Sequence, residues 1–315
     1  MTQLVDILDS IRGTQAEIAR ADAALAGGRS RGVELSIKSL RFRLERLEEE
    51  FADATSRQEI DVCSYRLIPD GGATYPVAAL GRAMTTFQEL LSVLYDSVKS
   101  GQPKARAKMS PESRHESTLD FGYAFAGSLG FVFTVANERL LIGDSLLDMA
   151  MGHIVELSKT PNADAVAQFA RKFGAAPIRL AHEWATAHVG ASLSLDLEWR
   201  RKTDVRIRMT AQVAELRDLA DLIASTSASD VENAELFGKL VGIDVVSRSF
   251  HLVLDEKTDV RGSLHADFKM PATVSVPSYY TAVIESHRKL HYATGLEERT
   301  NILRSLKRSS ESGQG

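Results

Sequence analysis

The feature that most restricts what this chain can become is an unbroken heptad seam near its start. Apolar residues run Val33, Ile37, Leu40, Leu44, Leu47, Phe51, in steps of 4, 3, 4, 3 and 4, while Arg41, Arg43, Glu45, Arg46, Glu48, Glu49 and Glu50 fill the other faces. That period belongs to an α-helix laying one stripe against another helix. The segment before it offers a partner with a weaker stripe, Leu4, Leu8, Ile11, Ile18 and Leu25, interrupted by Gln15 and Asp22. Between them Gly27-Gly28-Arg29-Ser30-Arg31-Gly32 stops one helix and lets the chain reverse. An antiparallel helical hairpin of coiled-coil type is predicted over residues 1–57. Two short helices bury little, so the hairpin needs a surface: the body of its own chain or a second copy. In the second case Val33, Ile37, Leu40, Leu44, Leu47 and Phe51 carry a homo-oligomer interface.

After residue 57 the period becomes alternating. Cys63, Tyr65 and Leu67 share one face of a strand, and Ile60, Val62, Ser64, Arg66 and Ile68 share the other. Apolar groups on both faces predict a buried strand. A helix follows with the stripe Leu80, Met84, Phe87, Leu91, Leu94, Val98, ended by Gly101-Gln102-Pro103, and then a basic loop. Two strands over 118–126 and 131–136 join through Gly127-Ser128-Leu129-Gly130. Three helices come next, the first capped by Asp144 or Ser145, then alternating strands at 193–200 and 205–209 and a helix at 211–224. Residues 58–226 thus read as an α+β domain.

The serines and acids of 225–233 read as a linker. Beyond it, five strands are expected at 236–246, 250–254, 260–265, 279–290 and 300–306, with Gly238, Gly242 and Gly262 where barrels bend. Residues 234–308 are expected to close as a small barrel of SH3 or OB type.

Composition removes several function classes. The chain has 315 residues and a formal net charge of −4, too slight an imbalance to announce a nucleic-acid or membrane partner for the whole molecule. Its single cysteine, Cys63, excludes an internal disulfide and a multi-cysteine zinc site. The longest uncharged apolar stretch, 121–136, is shorter than a spanning helix and broken by glycines. The acidic, unpatterned start is no signal peptide, so a reduced, cytoplasmic setting is expected and no membrane partner.

Motifs remove more. There is no phosphate loop, dinucleotide fingerprint or nucleophile elbow. Cys63 lies within a strand and reads as an inert core residue. His182 and His188 are six apart, roughly 600° around a helix, and do not face one another as the zinc-protease pair does. No cofactor or metal is expected. Asp196 and Glu198 share one strand face and, with Asp120 the only other acid to join them, form a weak candidate Mg²⁺ nuclease site. Two basic clusters are candidate phosphate binders: Lys104, Arg106 and Lys108, then Arg200, Arg201, Lys202, Arg206 and Arg208. Phe250, Phe268, Tyr279, Tyr280 and Tyr292 in the barrel are the residue type on which bases stack, though most small-barrel aromatics are core.

The run from Leu40 to Phe51, Tyr65-Arg-Leu-Ile-Pro69, Asp120-Phe-Gly-Tyr123 with Gly127-Ser128, and Gly238-Lys-Leu-Val-Gly242 into Phe250-His-Leu252 resembles a group of uncharacterised bacterial proteins. They share the layout of helical hairpin, α+β middle and small barrel along the whole chain. The resemblance implies an accessory or adaptor role of the sort found in anti-phage systems and supplies no catalytic residue. The expected function is a non-enzymatic assembly or adaptor protein that oligomerises or docks through its hairpin and meets a partner with its barrel. The alternatives are nucleic-acid binding through the barrel and basic loops, and the nuclease.

Overall fold

The computed structural model describes residues 2–26, 31–71, 74–125, 129–137, 143–201, 204–255, 258–269, 271 and 274–308. The chain divides into two compact units, Met1–Ser225 and Thr226–Gly315.

In the first unit α1 (Thr2–Ala26) and α2 (Arg31–Arg57) form the hairpin. Ile11 shares a cluster with Phe51, and Arg41 reaches Asp22 at 3.7 Å, so the register is antiparallel. Strands β1 (Ile60–Pro69), β2 (Asp120–Phe125), β3 (Leu129–Ala136), β4 (Leu193–Arg201) and β5 (Asp204–Ala211) build an antiparallel sheet in the order β2-β3-β1-β4-β5. The strand with apolar groups on both faces is therefore the central one. Its Cys63, Tyr65 and Leu67 pack with Leu193, Leu195, Leu197 and Trp199 of β4, all at most 1% exposed.

Helices cover that side: α3 (Val77–Ser100), α5 (Leu146–Ser158), α6 (Ala163–Phe173), α7 (Ala175–Gly190) and α8 (Val213–Ser225), whose Phe87, Leu90, Leu91, Leu94, Met151, Ile154 and Trp184 form the core. A short helix, α4 (Pro111–Glu116), occupies the second half of the stretch expected to be a basic loop. Ser110 accepts from the Ser113 backbone N–H and Pro111 sits in the first turn, two helix-starting devices that the charge pattern hides. Of the two candidate caps for α5, Ser145 does the capping and exchanges a reciprocal pair of bonds with Asp148.

The second unit is a closed barrel of β6 (Ser227–Asp244), β7 (Ser249–Val253), β8 (Asp259–Leu264), β9 (Ser278–His291) and β10 (Glu297–Arg308), in the order β10-β8-β7-β6-β9. All pairings are antiparallel except β8 with β10. The stretch 227–233, expected as a linker, is the first half of β6, paired with β9 from Ser227 onward. None of those seven side chains is buried, so no hydrophobic alternation marks them as a strand. A Cβ on Gly262 would lie 2.0 Å from the Asn301 carbonyl oxygen, and one on Gly238 would lie 2.7 Å from that of Val253. Only glycine permits these close approaches of backbone to backbone.

Candidate functional site

The hairpin lies on the sheet face opposite the helical layer. Strand pairing puts Val62, Val132 and Tyr123 on that face, and Leu4, Ile7 and Ile11 of α1 with Phe51 and Ala54 of α2 pack against them. Phe51 meets Tyr123 edge-on, with ring centroids 5.5 Å apart. Arg12 fastens α1 to the sheet, its Nε donating to the Gly122 carbonyl at 3.1 Å and its guanidinium standing 5.8 Å from the centroid of the Phe121 ring.

One helical turn farther along, contact gives way to a groove of about 960 Å³. Leu44, Phe51, Val62, Tyr123, Phe125 and Val132 make its apolar lining, and Gln15, Asp22, Arg41, Glu45, Glu48 and Arg200 supply polar groups. Its two guanidinium groups are engaged, Arg41 with Asp22 at 3.7 Å and Arg200 with Glu198 at 2.5 Å. Glu45 and Glu48 make no ion pair among the described residues. Burial first, and then the charge of Glu45, raise the Glu48 carboxyl above the ordinary range. Burial and the neighbouring Glu48 push the Tyr123 phenol up as well. The Gln15 amide nitrogen is buried with no hydrogen-bond partner among the described residues, an arrangement that native interiors avoid.

A second polar cluster lies at one end of the sheet, on the helical face. Asp61 is 2% exposed and its carboxyl is raised to about 7, chiefly by burial. The Asn137 amide donates to it and also to Ser145 Oγ at 2.9 Å. Asp148 accepts from Trp199 Nε1 at 2.9 Å, from Arg201 Nη1 at 3.1 Å and from the Ser145 backbone N–H at 2.9 Å. A carboxyl titrating near neutrality beside another carboxylate is a hallmark of proton-transfer sites. Asp61, however, does not line the neighbouring cavity of about 970 Å³, which Asp144, Asp148, His153, Lys172 and Arg206 border. The cluster is a brace joining α5 to the ends of β1 and β4.

The residues singled out by sequence fall as follows. Of the seam, Ile37 and Phe51 are buried, while Val33, Leu40, Leu44 and Leu47 are half-buried, with Leu44 and Leu47 packed against the hairpin–sheet cluster of the same chain. The exposed apolar residues of α2 are instead Leu35 and Phe42, seven apart on its outer side. Asp196 and Glu198 share a face, but Asp120 lies on β2, three strands from β4 and therefore roughly 14 Å away. Glu198 is clamped by Arg200 and Arg208, which hold its carboxyl below the usual range against the opposing effect of burial. No group of three acidic, histidine or cysteine side chains able to hold a metal occurs among the described residues.

The basic candidates are largely engaged. Lys104 pairs with Asp96 at 2.5 Å, Arg201 with Asp148 at 3.1 Å and Arg206 with Asp144 at 2.6 Å, beside Arg200 and Arg208 on Glu198. Arg106 and Lys108 are exposed, and Lys202 lies outside the described residues. Cys63 is fully buried and burial raises its thiol. His188 is fully buried in the core, whereas His182 is half-buried. In the barrel Phe250, Tyr280 and Tyr292 are buried and Phe268 packs against the core, but Tyr279 is 38% exposed and stacks on the 56% exposed Phe237 at 5.5 Å. Sequence reasoning missed the groove, Asp61 and Phe237. The one signal for the groove was the pair of polar residues, Gln15 and Asp22, in the α1 stripe, which read as flaws in a helix contact and are groove walls.

No protein-family model, no curated protein and no solved structure matches this chain.

Proposed function

We propose that the chain is a non-enzymatic binding protein of the cytoplasm, an adaptor with a small-molecule groove between its hairpin and its sheet and a recognition surface on its barrel. The observation that carries this reading is the groove. A cavity of about 960 Å³ with an apolar lining and a few polar groups has the size and make-up of small-molecule sites. The α2 seam gives Leu44 and Phe51 to its wall, and Leu47 packs within the chain beside them. Titration with the neutral fluorophore N-phenyl-1-naphthylamine tests the reading. One saturable site is expected in the parent protein, and none in Leu44→Glu with its cooperative unfolding retained. Absence of saturable binding in the parent removes the groove as a site. Light scattering is expected to give the monomer mass of 34.5 kDa; a multiple restores the reading in which copies associate.

A second reading concerns the barrel. A long first strand that pairs with both the second and the fourth, together with a parallel third and fifth, supports the reading of the closed barrel as OB-type, a module that binds oligonucleotides and oligosaccharides. The exposed stack of Phe237 on Tyr279 favours recognition by the outer wall of β6 and β9. The engaged arginines disfavour phosphate as the ligand. A mobility shift with single-stranded DNA at low salt separates the cases. A shift lost on Phe237→Ala with Tyr279→Ala supports nucleic acid, and no shift leaves a protein partner.

A further inference from the structure

Resting on the groove reading, we propose that the ligand is a cationic amphiphile: an amine on an alkyl or aryl body. Two independent features of the walls point to that chemistry. The first is charge. Glu45 and Glu48 stand three residues apart on α2, one exposed and one half-buried, and both line the groove without an ion pair among the described residues. The two guanidinium groups that line it are already held by Asp22 and Glu198. An entering anion would meet two carboxylates and only engaged cations, and a neutral ligand would desolvate Glu48 with nothing in return. A cation supplies the missing partner, and its attraction strengthens as water leaves the apolar cleft.

The second feature is aromatic. Phe51, Tyr123 and Phe125 border the same space, and ammonium groups bind ring faces through the ring quadrupole. With Glu48 at their edge, these rings suit an ammonium better than they suit a purely apolar group. Leu44, Val62 and Val132 then take the apolar body.

Isothermal titration of the full-length chain at neutral pH with 4-phenylbutylamine, 4-phenyl-1-butanol and 4-phenylbutanoate tests this, because the three probes share a body and differ in charge. The amine is expected to bind about tenfold tighter than the alcohol, with the carboxylate weakest. Glu48→Gln should remove most of the amine's advantage and leave the alcohol within about twofold, and Glu48→Lys should turn the preference towards the carboxylate. Glu48 is a half-buried helix position, and a retained unfolding midpoint in both variants verifies the fold. If amine and alcohol bind equally, or if Glu48→Gln weakens all three alike, the cationic class is wrong while the groove stands. If none of the three binds, the groove reading itself falls.

Discussion

The two faces of the five-stranded sheet solve the problem of buried polar groups in opposite ways. On the helical face, His188 Nδ1 lies 3.0 Å from the Leu193 carbonyl, which can only accept, so that nitrogen carries the proton. Nε2 is then free to accept from the Tyr65 hydroxyl at 2.6 Å, and the hydroxyl in turn accepts from Trp184 Nε1 at 2.8 Å. Every donor and acceptor in that chain has one partner, and the imidazole is neutral, lowered to about 4 mainly by burial. On the hairpin face the Gln15 amide nitrogen is buried without a partner among the described residues, and the Glu48 carboxylate, which makes no ion pair among them, borders open space. A closed network holds a core in one arrangement; an unclosed one leaves bonds for a ligand to make. Histidine and tyrosine types signal chemistry, yet here they are structural, and a glutamine of α1 and a glutamate of α2 are the groups left without a partner among the described residues.

The largest effect that tests this contrast is loss of packing. Trp184→Ala on the helical face is expected to cost about 3–5 kcal/mol in urea unfolding. Leu44→Ala, at the groove, is expected to cost on the order of 1 kcal/mol, because its side chain already borders space. Equal costs would mean that both faces are cores. Next comes pH. Folded Asp61, raised to about 7 from an unfolded value of about 3.9, keeps a proton that the unfolded chain has released. Its contribution is therefore complete below pH 4 and lost as pH rises through 7. Folded His188, lowered to about 4 from about 6.5, lacks a proton that the unfolded chain holds. Its contribution is complete above pH 6.5 and lost as pH falls through 4. The two slopes oppose one another across pH 4–6.5. The stability of Asp61→Asn relative to the parent should therefore rise by up to about 1.4 kcal/mol per pH unit in that window. A flat difference would show Asp61 ionised in the fold.

What the sequence revealed of this arrangement was its repeats. The α2 seam was legible as a heptad, β1 as a strand apolar on both faces, and the barrel as short strands punctuated by glycine, since each follows from a period of 3.5 or 2. The first half of β6 was not, because a strand with no buried side chain has no period to display. The destination of the hairpin stayed open for another reason: an apolar stripe states that it will be covered, and Val62, Tyr123 and Val132, which cover it, lie on three strands. The groove was illegible for the same cause. Its walls come from α1, α2 and four strands, and Gln15 and Glu48 become neighbours of one cavity only after the hairpin docks. The ion pairs of the basic clusters were illegible too, because Asp96, Asp144, Asp148 and Glu198 reach Lys104, Arg206, Arg201 and Arg208 from other elements.

Two substitutions of a single polar group give the sharpest form of the contrast, because their effects differ in sign. Tyr65→Phe removes one oxygen from the closed network and leaves Trp184 Nε1 and His188 Nε2 facing each other across an apolar ring. Two buried polar atoms without partners should cost about 1–3 kcal/mol. Gln15→Leu removes a buried donor that has no partner to lose and fills the same space with apolar atoms. Replacing an unsatisfied amide by a side chain of similar shape is expected to be neutral or to stabilise the folded chain by up to about 1 kcal/mol. The opposite signs follow only if the helical face is closed and the hairpin face is not. Should Gln15→Leu destabilise as much as Tyr65→Phe, the amide has a structural partner after all, and the hairpin face is as closed as the helical one. Should it stabilise while also weakening 4-phenylbutylamine, the Gln15 side chain, which lines the groove, will have been shown to cost folding and serve binding.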